Sequence, residues 1–272
     1  MGGVLAFFIL VFIIYLVGRS ISSSSSTPHL FINKLGRRLN KKREYVHQTL
    51  IKYFDYYKYL SDPQRDVFLK RVAYFAGTTK FIPKAGFNLT EVHIVMISAS
   101  FVQLTFGLRK SVLRHFNEFN IYPKHFMNFH THHYHKGEIN MSGSLSLSWE
   151  DYLEGQKDPN DGLNVGLHEL AHAFSMEVTH SGMGYRHLVM KLQPIYYRAK
   201  REINDSRYRI MEFRGYAYTN MHEYFAVVTE VFFEQPQLLR DEHPNLYEEL
   251  CVLYKQDPAS GIYQLASGKP IM

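Results

Sequence analysis

Residues 161–177 read DGLNVGLHELAHAFSME, and this stretch decides how the rest of the chain is interpreted. It contains an HExxH motif that runs from His168 to His172. On an α-helix, which turns about 100° per residue, the two histidines lie about 40° apart and one turn along, so both imidazoles can reach one metal ion. Glu169 projects beside them and can accept a proton from water without being a ligand. The spacing therefore predicts a hydrolytic metal centre on a helix.

The residues around the motif favour a helix with one buried face. Four apolar side chains fall on the side opposite the histidines, namely Leu163, Leu167, Leu170 and Phe174. Asp161 is the predicted N-cap, since an Asp carboxylate accepts hydrogen bonds from the first free N–H groups of a helix. The alternative is a pair of core histidines without a metal, which would need two other hydrogen-bond partners.

A catalytic zinc site needs a third protein ligand and an open position for water. Glu223 and Glu230 are the two candidates, and both lie on a helix predicted at residues 221–234. Seven residues apart, they share a face but are separated by about 10.5 Å along the axis, so only one of them can hold the same ion. The spacing alone leaves the choice between them open.

Two further stretches carry a resemblance to a known family. Residues 147–152 read LSWEDY ahead of the HExxH motif, and residues 225–233 read FAVVTEVFF behind it. With these stretches, residues 44–260 resemble the Mlc titration factor A family of zinc peptidases. The resemblance implies an α+β, zincin-like fold of the gluzincin type, in which a small sheet lies over the HExxH helix and a later helix brings a glutamate ligand.

The resemblance also implies roles for individual residues. The implied metal ligands are His168, His172 and Glu223, and the implied general base is Glu169. Tyr216 lies seven residues before Glu223, a spacing similar to that in this family and in anthrax lethal factor, where the tyrosine hydroxyl faces the oxyanion. This favours Glu223 over Glu230 as the third ligand. Glu230 is then expected to orient a ligand histidine, with a solvated acid as the alternative.

The charge of the chain is concentrated at its N-terminal end. The net charge is +6, and residues 1–43 hold seven Lys and Arg residues with no acid, which leaves −1 for residues 44–272. A basic face for binding duplex nucleic acid is therefore not expected. A single cysteine, Cys251, cannot form an internal disulfide.

The first residues predict a membrane anchor. Residues 4–17 read VLAFFILVFIIYLV, an unbroken apolar run with basic residues only on its C-terminal side. We interpret residues 1–18 as a single transmembrane helix, residues 19–43 as a Ser-rich, basic linker, and residues 44–272 as one peptidase domain that faces the cytoplasm. A cleaved secretory signal is the alternative.

Coarse patterning places the remaining elements. Helices are predicted at residues 44–60, 62–76, 186–203 and 221–234, and strands at residues 92–97 and 145–149. Residues 144–148 are expected to form the sheet edge above the metal, where an extended peptide could add as a strand. The histidine-rich run from His130 to His135 is predicted to be a polar surface loop, because its spacing specifies no single coordination geometry.

These observations predict a membrane-anchored zinc metallopeptidase with one catalytic Zn²⁺. Its expected substrate is a peptide or protein, hydrolysed by metal-activated water with Glu169 as general base and Tyr216 beside the oxyanion. The alternative is a membrane-tethered regulator that binds another protein, such as a repressor, through a structural or weakly active zinc site. A closed site with four protein ligands would favour that alternative.

Overall fold

Helices form most of the chain in the computed structural model, which describes residues 33–108, 113–128, 132–180, 185–210 and 213–263. The predicted membrane anchor, residues 1–18, lies outside these ranges. Within them, no helix combines the length and the apolar character that a membrane crossing requires.

The α-helices follow one another along the chain with a cluster of strands in the middle. They are α1 (Lys34–Lys41), α2 (Arg43–Tyr53), α3 (Asp55–Lys58), α4 (Asp62–Thr78), α5 (Glu91–Thr105), α6 (Trp149–Glu154), α7 (Val165–His180), α8 (Arg186–Asn204), α9 (Met221–Glu234), α10 (Pro236–Glu242) and α11 (Pro244–Tyr254). Short 3₁₀ helices cover Ser206–Tyr208, Gly215–Tyr218 and Pro258–Ser260. The helices predicted at residues 62–76, 186–203 and 221–234 are confirmed as α4, α8 and α9.

The strands form one mixed sheet and one short hairpin, which confirms an α+β fold. They are β1 (Lys80–Pro83), β2 (Glu118–Tyr122), β3 (Phe126–Met127), β4 (Tyr134–His135), β5 (Gly137–Asn140) and β6 (Ser144–Ser148). The sheet has the order β1-β2-β6-β5, and β3 pairs with β4. β1, β2 and β6 are parallel, whereas β5 runs antiparallel to β6, with Gly137 opposite Leu147.

The sheet edge differs from the prediction. Residues 144–148 do form a strand, but β6 lies inside the sheet between β2 and β5. The chain reverses just before β6, at a turn in which the N–H of Gly143 donates to the carbonyl of Asn140 at 2.9 Å. Gly143 adopts a φ of +99°, which glycine tolerates best. This turn brings β5 alongside β6, so β5 forms one edge of the sheet and β1 forms the other.

The strand predicted at residues 92–97 is wrong, because this segment belongs to α5. Thr90 and His93 form a capping box at its start, in which Nδ1 of His93 accepts from the N–H of Thr90 at 2.9 Å. From Ile94 to Thr105 every side chain is buried, as α5 packs against α4 and α7. A helix buried on all sides carries no apolar stripe, so its sequence resembles that of a buried strand.

The N-terminal region also differs from the prediction. The helix predicted at residues 44–60 is interrupted at Phe54, which is extended at φ −136° and ψ 96° and points into the core. Residues 34–41, which the prediction placed in the linker, form α1 with Leu39 buried against α4. Asn33 caps this helix by accepting from the N–H of Leu35 at 2.9 Å.

Candidate metal centre

Helix α7 presents the HExxH motif, but its start differs from the prediction. The N-cap is Asn164, whose Oδ1 accepts from the N–H of Leu167 at 3.0 Å. Asp161 instead accepts from the N–H of Leu163 at 2.8 Å in a turn before the helix, so its predicted capping role is wrong. Leu163 consequently lies outside the helix and is exposed. The other predicted buried side chains, Leu167, Leu170 and Phe174, are buried as expected.

Helix α9 packs against α7 and presents Glu223 to it. Asn220 precedes α9 and caps it, because its Oδ1 accepts from the N–H groups of His222 at 2.9 Å and of Glu223 at 3.0 Å. Glu223 therefore stands in the first turn of α9, at the level of the two histidines.

Three donor atoms from these helices form a compact triangle. Nε2 of His168 lies 3.1 Å from Nε2 of His172 and 3.0 Å from Oε2 of Glu223. The third side, from Nε2 of His172 to Oε2 of Glu223, measures 3.4 Å. A tetrahedral zinc with bonds of about 2.0–2.1 Å separates its ligand atoms by about 3.3 Å. The donor types and their spacing fit a zinc ion held by three protein ligands.

Glu230 lies behind His168 and outside this triangle. Its Oε1 is 2.7 Å from Nδ1 of His168, on the side of the ring away from Glu223. Because a buried carboxylate only accepts hydrogen bonds, this contact places a proton on Nδ1 and leaves Nε2 free for a metal. Glu230 is only 1% exposed, and it also accepts from the backbone N–H of Asn164 at 2.6 Å and from the guanidinium of Arg214.

Among the described residues, none orients His172 as Glu230 orients His168. Nδ1 of His172 is buried and has no hydrogen-bond partner among the residues that the structure describes. Ser175, three residues later, donates its hydroxyl to the carbonyl of His172 at 3.1 Å. The ring of His168 is therefore the more firmly oriented of the two.

Glu169 belongs to α7, and its side chain lies against the edge strand β5. It is 8% exposed, and a Cβ atom added to Gly137 would lie 2.5 Å from its Cδ and Oε1 atoms. Burial raises the pKa of Glu169 to about 6, although the nearby charges of His168 and His172 oppose the shift. A carboxyl with this pKa is ionised at neutral pH and is readily protonated, as a general base requires.

His168 and Glu223 perturb each other's protonation. Burial opposes the charged form of His168, but hydrogen bonds to Glu223 and Glu230 outweigh it and raise its pKa to about 10. Burial also opposes ionisation of Glu223, but its hydrogen bonds to His168 and His172 hold the pKa of this carboxyl well below its usual range. An ionised carboxylate facing two imidazoles is a favourable setting for a cation, which takes the place of a proton there.

Tyr216 stands beside the triangle in the 3₁₀ helix Gly215–Tyr218. Its ring centroid is 6.2 Å from that of His168, and the side chain is 54% exposed. Partial burial, followed by the charge of Glu223 and a hydrogen bond to it, raises the pKa of Tyr216 to about 12. Its hydroxyl therefore stays protonated at neutral pH and can donate a hydrogen bond.

Two cavities meet at this centre and together form a cleft along β5. One has a volume of about 640 Å³ and extends towards Asp158 and Asp161. The other has a volume of about 360 Å³ and extends towards Met176 and His222. The residues common to both walls are His135, Gly137, His168, Glu169 and Tyr216. The cleft thus has space on both sides of the triangle.

The histidine-rich run contributes Tyr134 and His135 to the wall of this cleft, and because both residues form β4, the predicted surface loop is wrong for them. His130 lies outside the described residues, and His132 and His133 are exposed, in keeping with a polar surface segment. His135 belongs to β4 and lies on the cleft wall. Among the described residues, the group suited to hold a metal is His168, His172 and Glu223.

Sequence reasoning missed three residues of the centre. Arg214 and Asn164 both hold Glu230, and Gly137 makes room for Glu169. A glycine at the start of a strand is a weak indication of close backbone approach. For Arg214 and Asn164 we find no local pattern, since their partner lies 16 and 66 residues away.

Comparison with known proteins identifies the family of this chain. The family model for glucose-regulated metallo-peptidase M90 matches residues 34–255. Mlc titration factor A of Yersinia pestis (strain Pestoides F) is 26% identical over 218 residues, which is 73% of this chain and 80% of that protein. The same figures hold for Mlc titration factor A of Yersinia pseudotuberculosis serotype O:1b (strain IP 31758). With its HExxH helix and most of its length matched, the chain belongs to the M90 metallo-peptidase family.

Proposed function

We propose that this protein is a zinc-dependent peptidase that hydrolyses peptide bonds at the centre formed by His168, His172 and Glu223. The observation that carries the proposal is the triangle of donor atoms, with sides of 3.0–3.4 Å, beside the buried carboxyl of Glu169. Three protein ligands and an adjacent base are the arrangement of a catalytic zinc site, whereas a structural site has four protein ligands.

The side chains around the centre divide the chemistry between them. A zinc ion, when bound, supplies a Lewis acid that acidifies water and polarises the scissile carbonyl. Glu169 takes the proton from the attacking water and passes it to the leaving amine. Tyr216 donates its hydroxyl to the oxygen of the tetrahedral intermediate, where negative charge develops. Glu230 holds the ring of His168 through Nδ1 and is itself held by Arg214.

The edge strand β5 is the proposed platform for the substrate. β6 covers one side of β5, and the other side faces the cleft. An extended peptide that adds to this edge satisfies the free backbone groups of β5 and passes over Glu169. The cavities on either side of the triangle accommodate residues on both sides of the scissile bond.

The test compares wild type with Glu169→Gln for zinc content and for hydrolysis of a quenched fluorescent peptide. Both proteins should bind one zinc, and the variant should lose at least about 10²-fold in turnover, the scale of general base catalysis. Glu248→Gln, an exposed acid on α11, is the matched control and should keep full turnover. Undiminished hydrolysis by zinc-loaded Glu169→Gln would contradict the assigned role.

A second candidate function is that of a regulator that binds another protein. It is favoured by the name of the relatives, which describes them as titration factors for Mlc. We propose that such a partner, if this chain has one, binds outside the metal centre. Tight, stoichiometric binding of a partner protein by a zinc-loaded chain that hydrolyses no peptide would favour this function over the peptidase.

We also propose that residues 1–18 anchor the chain in a membrane as a single span, with the peptidase domain in the cytoplasm. The support is the apolar run at residues 4–17 and the basic residues on one flank only. A reporter fused after Met272 should be active in the cytoplasm, and the chain should stay with membranes through a high-salt wash. Release of a shortened, secreted protein would establish the cleaved-signal alternative.

A further inference from the structure

A second cavity, separate from the catalytic cleft, lies on the far side of Asn164 from the metal centre. Its volume is about 210 Å³. Aromatic side chains supply much of its wall, namely Phe54, Tyr56, Tyr59, Phe233 and Tyr263. They come from the junction of α2 and α3, from the C-terminal end of α9 and from the last described residue.

A buried carboxyl stands in this wall. Glu234, at the end of α9, is 6% exposed. Its Oε1 accepts from the side-chain amide of Asn164 at 2.8 Å, whereas its Oε2 is buried with no hydrogen-bond partner among the described residues. No ion pair in the described part of the chain involves Glu234. Burial, together with the charges of Glu230 and Asp161, raises its pKa to about 8.

The acidic side chains that line the cavity are Asp55 and Glu234. Among the described residues of its wall there is no Lys, Arg or His. Asp55, the second acid of the wall, is already paired with Lys58. A buried carboxylate without a cation is unfavourable, so Glu234 lacks the partner that would stabilise its ionised form. An anionic ligand would find no positive group here, whereas a cation would stabilise the ionised form of Glu234.

Three tyrosine rings in the cavity wall, those of Tyr56, Tyr59 and Tyr263, pack against one another. The ring centroids of Tyr56 and Tyr263 are 4.8 Å apart and nearly perpendicular, and those of Tyr59 and Tyr263 are 6.5 Å apart and nearly parallel. Tyr59 is largely exposed and stands at the opening. Aromatic faces attract organic cations through their quadrupole, and clusters of rings bind alkylated ammonium groups in this way.

We propose that this cavity binds a small organic cation of the alkylammonium class, held against the rings of Tyr56, Tyr59 and Tyr263 and neutralised by Glu234. The rings supply the apolar and quadrupolar contacts. Glu234 holds a proton in the empty cavity at neutral pH, and it supplies the negative charge by releasing that proton to solvent when the cation binds. The volume of about 210 Å³ can hold an ammonium head group with its methyl substituents. A divalent metal is not favoured, because Asp55 is already paired and Glu234 alone offers too few oxygen ligands.

The test uses choline chloride as the probe and the uncharged, isosteric 3,3-dimethylbutan-1-ol as its control. Each is titrated by calorimetry into the full chain in a non-ionic maltoside solution. Choline should bind saturably with a stoichiometry of one, and the alcohol should bind at least about tenfold more weakly, because it retains the shape and loses the charge. Equal binding of the two probes, or no saturable binding of choline, would overturn the proposal.

Two variants test whether choline binds in this cavity. Glu234→Gln and Tyr59→Leu should each weaken choline binding by about tenfold. Tyr59 is exposed, so Tyr59→Leu should fold even if the buried change at Glu234 does not, and thermal unfolding checks both. Tyr197→Leu removes another exposed tyrosine that does not line the cavity and should bind choline as wild type does. Full choline affinity in folded Tyr59→Leu would overturn the proposed location. The readout is binding, so it is independent of peptidase activity.

Discussion

Gly137 and Glu169 are in contact across the cleft, because a Cβ atom on Gly137 would lie 2.5 Å from Oε1 of Glu169. The backbone of β5 therefore rests directly on the carboxyl of the proposed general base. Only glycine allows this approach, because a Cβ atom 2.5 Å from another heavy atom would overlap it sterically. The edge strand and the base thus determine each other's position.

Gly137→Ala should displace the Glu169 carboxyl and lower turnover by about 10²-fold, the loss expected from a misplaced catalytic group. Zinc content should not change, because neither residue is a proposed ligand. The measurement is turnover per bound zinc. Gly215→Ala is the control, since a Cβ there meets nothing within 4 Å. Full turnover in Gly137→Ala would show that Glu169 can move without consequence.

Glu223→Ala and Glu230→Ala should differ in zinc binding. Glu223 contributes a donor atom to the triangle, so its loss should lower zinc affinity severely. Glu230 contacts only the back of His168, so its loss should leave zinc bound and cost about 10–100-fold in affinity or turnover. Competition with a chromophoric chelator measures the zinc affinity of each variant and shows which of the two binds zinc more weakly. The reverse order would assign the third ligand to Glu230.

Tyr216→Phe should lower turnover by about 10²–10³-fold, the scale of losing one oxyanion donor, with zinc content unchanged. The reason is that the Tyr216 hydroxyl is protonated at neutral pH and acts only once negative charge develops on the substrate. Steady-state kinetics should show the loss in kcat rather than in KM. Tyr208→Phe, an exposed tyrosine outside the cleft wall, is the control. A change confined to KM would point to substrate binding instead.

Glu234→Gln should change how stability depends on pH. The folded pKa of Glu234, about 8, lies above the ordinary value of 4.5 for a glutamate, so the folded state holds a proton that the unfolded state has lost at pH values between the two. The contribution of Glu234 to the free energy of unfolding is therefore largest at low pH. It falls by at most about 4–5 kcal/mol as the pH rises towards 8. Glu234→Gln stays neutral, so its stability relative to wild type should increase from pH 5 to pH 9. Chemical denaturation at both values measures this, and parallel pH profiles would contradict it.

Local spacing in the sequence predicted much of the helical framework. The HExxH helix, α8 and α9 were predicted from side-chain patterns that repeat every three to four residues. Such patterns can be recognised in a short stretch of sequence. The relation between Glu223 and Glu230 is of the same kind, since their separation along one helix is fixed by its rise. These properties required no knowledge of the rest of the molecule.

Local spacing failed where an element's surroundings decided its form. α5 was predicted as a strand because burial on every side removes the polar face that marks a helix. Asn164 caps α7 in place of Asp161 because its amide also binds the carbonyl of Gly155 and the carboxyl of Glu234. β6 lies inside the sheet because β5 folds back onto it. Each of these outcomes depends on partners that the local sequence does not reveal.

Only the tertiary structure decided which groups meet at the centre. The packing of α7 against α9 brings Glu223 to the two Nε2 atoms and places Glu230 behind His168. The same packing sets Asn164 between the metal centre and the second cavity. The sequence by itself determined which side chains could bind a metal or move a proton. The distances from His168 to Glu223 and Glu230 come from contacts between residues 55 and 62 positions apart. Those contacts depend on how the helices and the sheet bury their apolar faces together.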